Sequence, residues 1–267
     1  MRKAQIYYAR MDEFWRKEEK LDYLEKLEHI GNVDWQEIKP DKNYTWLTEG
    51  LEDEFENYLL LGNREAKAIS DSNPKVIFKL FSLGVSTNRD VWVRNYNIKV
   101  LEGNIIKTIE AYNEQTIKWN NCINPSLNVD NLIIYDDTKI SWSSTLKNHL
   151  KQGRLNKYNF SKIRYSLYRP FCYQFLYFEE ILNDRRGQFT LIFPTSETEK
   201  ENQVIWLKVG TEVPMFVLTV NCIPDLLPQG GSQCFPFYTY DKDGTNRQEN
   251  ITDWACLLYT SPSPRDL

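Results

Sequence analysis

The chain has 267 residues, 26% of them charged and 14% aromatic, with a net charge of −4. It is long enough to bury a real core, as one large domain or two small ones. The excess of acid argues against a protein that coats nucleic acid regardless of sequence. No apolar run reaches the ~18 residues a membrane span needs. The five cysteines show no framework spacing and, with no export signal, read as reduced thiols.

Residues 4–9 read as a short strand centred on Ile6, Tyr7 and Tyr8. Asp12 then has the character of an N-cap, and residues 14–28 read as a charged surface helix with one buried stripe of Phe14, Leu21, Leu24 and Leu27. Thr48 is placed to cap a short helix over residues 49–58, and residues 71–74 form a turn cluster. Residues 76–81, 91–93 and 132–135 are β-prone. Between them lies the clearest helix, with Ile98, Leu101, Ile105, Ile109 and Tyr112 spaced by three or four. Ser143 or Ser144 caps another helix that Gly153 ends. Beyond residue 164 the pattern turns mainly β, with strand-length runs at 175–178, 189–193, 204–209, 216–220 and 237–240. Helices come first and strands later without alternation, so the fold class is α+β: a helix-rich N-terminal part followed by a mainly β domain.

Charge is unevenly distributed. The first 60 residues hold 15 acidic and 9 basic side chains. From residue 138 to 178 there is no Asp or Glu, yet the stretch carries Lys139, Lys147, Lys151, Arg154, Lys157, Lys162, Arg164 and Arg169, interleaved with aromatics. Cations beside flat rings are the ingredients of a nucleic-acid surface. The competing reading is a solvated basic face over an aromatic core. No phosphate-cradling glycine loop is present. The two histidines lie far apart, so no zinc set forms. Asp241-Lys-Asp-Gly-Thr-Asn246 resembles a calcium loop, but its glycine falls at the wrong position. Catalysis by this chain alone is not expected.

Ordered blocks carry a resemblance to a known family. They include Ile6-Tyr-Tyr-Ala-Arg-Met-Asp-Glu-Phe-Trp15, Thr45-Trp-Leu-Thr-Glu-Gly50, Phe81-Ser-Leu-Gly-Val-Ser-Thr-Asn-Arg-Asp-Val-Trp92 and Ile163-Arg-Tyr-Ser-Leu-Tyr-Arg-Pro-Phe171. They continue with Ile223-Pro-Asp225, Gln233-Cys-Phe-Pro-Phe-Tyr238 and Asn250-Ile-Thr-Asp-Trp254. Together they resemble the C-terminal specificity region of Type ISP single-chain restriction-modification enzymes. In that family a nuclease, an ATP-driven helicase-like motor and an adenine-N6 methyltransferase precede the region. The resemblance implies residues 1–45 as the end of a methyltransferase domain and 46–255 as a DNA target-recognition domain. Residues 256–267 depart from the family pattern and read as a translated transposon-end sequencing adapter.

The implied partners are double-stranded DNA and the upstream methyltransferase and helicase domains, in a bacterial or archaeal cytoplasm. S-adenosylmethionine, ATP and magnesium are implied for the parent enzyme and no cofactor for this chain. Thr87, Asn88 and Arg89 lie in a polar segment that contacts DNA, or else forms a turn in which Asp90 pairs with Arg89 or Arg94 and caps a neighbour. Lys139, Lys151, Arg154, Lys162 and Arg164 are phosphate candidates, since nothing local pairs the last four. Arg185 and Arg186 are candidate base readers. Arg169 is expected to pair with a buried acid while Tyr168 and Phe171 pack. The alternative function is a coupling module that clamps methyltransferase to motor and touches DNA little.

Overall fold

The computed structural model describes residues 4–40, 44–47, 58–68, 74–122, 128–208, 215–228 and 230–260. The helix expected over 49–58, most of the 71–74 turn and the last residues of the tail lie outside them. The chain divides into two compact units, Met1–Tyr58 and Leu59–Leu267.

In the first unit, strand Ile6–Tyr8 pairs antiparallel with Gln36–Ile38, Ile6 opposite Ile38. Helix Lys17–Leu27 follows the first strand. The Arg16 amide donates to the Glu19 carboxylate at 2.7 Å, closing the first turn. The expected buried stripe is not buried: Phe14, Leu21 and Leu24 are all exposed. A two-stranded ribbon is too small to cover a helix face within this unit.

The second unit is built on the helix Ile98–Asn120. Asn97 caps it by accepting from the Lys99 and Val100 amides, and Leu101, Ile105, Ile109 and Tyr112 are buried, as their spacing requires. Helix Ser144–Lys151 packs on it, capped by Ser143, and Gly153 ends the turn with φ +70°. Two four-stranded sheets complete the core. One runs in the order Ser82–Leu83, Ser232–Pro236, Val204–Lys208, Val217–Val220, all antiparallel. The other runs Arg94–Asn95, Cys172–Tyr177, Ile163–Arg169, Ile223–Pro224, its last pair parallel. Leu101, Ile105, Leu167, Leu176, Phe193 and Trp206 share one core. The architecture is α+β, as expected.

Four β-prone runs behave differently. Residues 76–81 make only isolated bridges, Val76 to Leu60 and Phe78 to Ile251. Residues 91–93 belong to a helical turn, Asp90–Val93, whose Trp92 and Val93 amides donate to the Arg89 carbonyl. Leu132 closes another turn, Val129–Leu132. Phe189–Ile192 is helical because Phe189, Ile192 and Phe193 recur at three and four, a spacing that buries all three on one helical face. Among the described residues, no helix is long and apolar enough to cross a membrane.

Candidate nucleic-acid interface

Two polar loops meet at the end of strand Ser82–Leu83. Ser86 and Arg185 exchange backbone hydrogen bonds, each N–H donating to the other's carbonyl at 2.9 Å. Short side chains shape the first loop. The Thr87 hydroxyl donates to the Asp90 carboxylate and accepts from the Arg89 amide at 3.1 Å. Asn88 sits between them at φ +53°, a conformation that asparagine tolerates. The second loop turns at Gly187, φ +55°, where a Cβ would lie 2.3 Å from the Ser82 hydroxyl oxygen. That oxygen accepts from the Gln188 amide at 2.9 Å, so the loop lies directly against the strand.

Arg89 fastens the loops from inside. Its guanidinium is buried and donates to the Leu182 carbonyl at 2.6 Å, the Ser143 hydroxyl at 2.7 Å and the Ser141 carbonyl at 3.3 Å. Ser143 in turn donates to Asp184 at 2.7 Å. Burial pulls the Arg89 guanidinium down to about 10, while Asp184 and Glu179 pull it back up. Arg89 and the equally buried Thr87 therefore hold the loop together from within. Asn88 and Arg185 stay exposed, and the Arg185 side chain makes no hydrogen bond or ion pair among the described residues.

The acid-free run is not acid-free in space. Lys139 pairs with Asp136 at 3.2 Å, Lys147 with Asp130 at 2.5 Å, Arg154 with Glu180 at 2.9 Å and Arg169 with Asp225 at 3.2 Å. Arg164 corrects the expectation most sharply. It is buried, pairs with Glu199 at 2.5 Å and donates to the carbonyls of Thr195 at 2.7 Å and Phe193 at 3.2 Å. Burial pushes the Glu199 carboxyl up to about 7 and outweighs the opposing pull of Arg164. The view that nothing pairs Arg154 and Arg164 fails because their partners come from later segments. Lys151 and Lys157 are exposed and Lys162 half-buried, and none of their side chains makes an ion pair or hydrogen bond among the described residues. Arg186 lies 3.5 Å from Glu180 and over the Phe178 ring.

Arg169 meets the buried acid it was expected to find. Asp225 also takes Arg94, at 3.0 Å. Burial raises the Asp225 carboxyl, while Arg94 draws it back down. Arg94 also lies 3.6 Å from Asp90, the turn pairing open in the sequence, whereas its pairing with Asp225 depends on strand neighbours far apart in the chain. Tyr168 lies under the Arg169 guanidinium, 3.9 Å from ring centre to its carbon. Phe171 does not pack. It is 82% exposed at φ +63°, since the two-residue turn it shares with Pro170 needs a positive φ at its second position. No group of three His, Cys, Asp or Glu side chains able to hold a metal occurs among the described residues.

The chain belongs to the Type ISP C-terminal specificity domain family, whose model matches residues 76–263. Solved structures agree. A nuclease-deletion mutant of the Type ISP restriction-modification enzyme LlaGI, in complex with a DNA substrate mimic, is 29% identical with a TM-score of 0.74. The match covers 93% of this chain and 23% of that one. The DrdV–DNA complex, seen by electron cryomicroscopy, is 29% identical over 96% of this chain and 24% of its own, TM-score 0.75. The ATP-dependent Type ISP enzyme LlaBIII bound to DNA shares the fold at 21% identity, TM-score 0.73, over 98% of this chain and 17% of its own. The chain thus spans about a quarter or less of the length of each. No curated protein matches it.

Proposed function

We propose that the chain recognises a DNA target for a parent restriction-modification enzyme, holding duplex DNA so that an upstream methyltransferase can draw an adenine from the stack. The observation that carries this reading is the pinned edge where residues 86–90 and 183–187 meet. It presents Asn88 and Arg185 on loops that Arg89 and Gly187 hold in place. Asparagine reads adenine edges and arginine guanine edges. Rigid placement is what separates a reader from a solvated side chain. The DNA-bound complexes of LlaGI and DrdV support the assignment to DNA. S-adenosylmethionine, ATP and magnesium belong to other domains of the parent enzyme, which works in a bacterial or archaeal cytoplasm.

Asn88→Ala and Arg185→Ala each narrow the preference for cognate over random duplex by about 1–3 kcal/mol, roughly 5- to 150-fold. Competition binding with the full chain measures this, and an unchanged preference in both variants rejects the assignment. The pairing of Lys139, Lys147, Arg154, Arg164 and Arg169 with carboxylates favours a second reading, a coupling module with little DNA contact. That reading predicts no measurable affinity for duplex DNA at physiological salt.

A further inference from the structure

A cavity of about 400 Å³ opens beside the pinned edge, lined by cations from three separate segments. Lys162 comes from the end of the helical turn Phe160–Lys162, Arg186 from the turn after the Ser86–Arg185 bridge, and Lys242 from the turn that mimics a calcium loop. Arg164 contributes too, but its donors are committed to Glu199 and to carbonyls. Glu180 is the one carboxylate lining the cavity among the described residues. Its charge is already met by Arg154 at 2.9 Å.

The side chains of Lys162 and Lys242 make no ion pair or hydrogen bond among the described residues. They face the cavity together with Arg186, which Glu180 and the Phe178 ring hold in place. Elsewhere in this part of the chain most cations are paired off. Gathering uncompensated cations around one concavity raises the energy of the folded state unless an anion enters.

We propose that this cavity seats one phosphate of the DNA backbone, held by the Lys162 and Lys242 ammonium groups and the Arg186 guanidinium. The proposal rests on the DNA-recognition reading above and divides the labour of two adjacent arginines. Arg185 faces the exposed edge and reads bases, while Arg186 turns into the cavity and fixes register. Interfaces on DNA separate these tasks, since phosphate contacts position the protein and base contacts specify the sequence. A small free anion is the rival occupant. It would need no neighbouring reader, whereas the cavity shares its turn with Arg185.

The test compares the full chain with Lys162→Gln/Lys242→Gln, using a fluorescent duplex pool of randomised sequence and the duplexes it enriches. Lys99→Gln, an exposed lysine on the long helix that does not line the cavity, is the control. The double variant should bind enriched and random duplexes equally more weakly. Its slope of log affinity against log salt should fall by about one, the count for a single phosphate. The ratio between enriched and random duplexes should not change. An unchanged slope in a double variant that melts like wild type overturns the phosphate seat. If wild type still enriches a sequence in that case, the recognition reading stands without it. If the double variant loses sulfate binding by calorimetry but keeps its DNA slope, the cavity takes small anions and the DNA assignment is wrong. A wild-type chain that binds no duplex at all overturns both.

Discussion

Arg164 looks like a phosphate contact in the sequence and is a structural tie in the fold, and Arg164→Gln separates the two. The guanidinium is buried, donates to the Thr195 and Phe193 carbonyls at 2.7 and 3.2 Å, and meets Glu199 at 2.5 Å. Removing one partner of a buried pair costs about 3–5 kcal/mol, because the other charge is stranded. In a unit of this size each kcal/mol lowers the melting temperature by roughly 2–4 °C, so the expected fall is roughly 6–20 °C. The assay is thermal unfolding by circular dichroism at pH 8. Without the pull of Arg164 the Glu199 carboxyl rises further, so a retained proton recovers part of the loss and the fall should lie toward the lower end of that range. Lys151→Gln should stay within about 0.5 kcal/mol of wild type, as exposed substitutions do. Below the melting range, folded Arg164→Gln should keep the wild-type salt slope of DNA binding. An unchanged melting temperature together with a smaller salt slope would return Arg164 to the DNA face.

Glu199 adds a pH dependence. Its carboxyl is held at about 7 in the fold against an ordinary 4.5, so between those values the folded state binds the extra proton. Stability from this group falls as pH rises through that window, by about 3 kcal/mol at most. Urea titrations of wild type and Glu199→Gln at pH 5 and pH 7.5 should differ by that trend, and parallel profiles would remove it. Gly187→Ala should cost several degrees of melting temperature, since its Cβ would meet the Ser82 hydroxyl at 2.3 Å at a positive φ. A wild-type melting curve for that variant would show the loop to be loosely held. Cys256, Leu257 and Leu258 are exposed. Truncation after Ala255 should therefore leave the melting temperature within about 2 °C. A larger drop would make residues 256–267 integral to the fold.

Periodicity and caps were legible where one interaction dominates. Leu101, Ile105, Ile109 and Tyr112 declare a helix because only a helix buries all four, and Ser143 and Gly153 bound the next one through local chemistry. Short apolar runs were not legible. Phe189 to Phe193 suits a strand or a turn of helix equally until its surroundings choose. The charge pattern misled for a related reason. An acid-free stretch of sequence says nothing of acids brought across the fold, and Arg164 finds Glu199 35 residues on while Arg169 finds Asp225 56 residues on. The polar segment 86–90 was visible, but its split into buried Thr87 and Arg89 and exposed Asn88 depends on one turn. The family was legible because its blocks keep their order, and the family match over residues 76–263 contains most of them.

Whether this chain reads DNA sequence can be measured by selection from a pool of random duplexes with the full chain, the bound fraction being sequenced over several rounds. The bound pool should converge on one short motif. Arg185→Ala should relax at least one position of that motif, while Lys162→Gln/Lys242→Gln should leave the motif intact at lower affinity. Bound pools that stay random, or a motif unaltered by Arg185→Ala and Asn88→Ala alike, would contradict sequence reading by this chain.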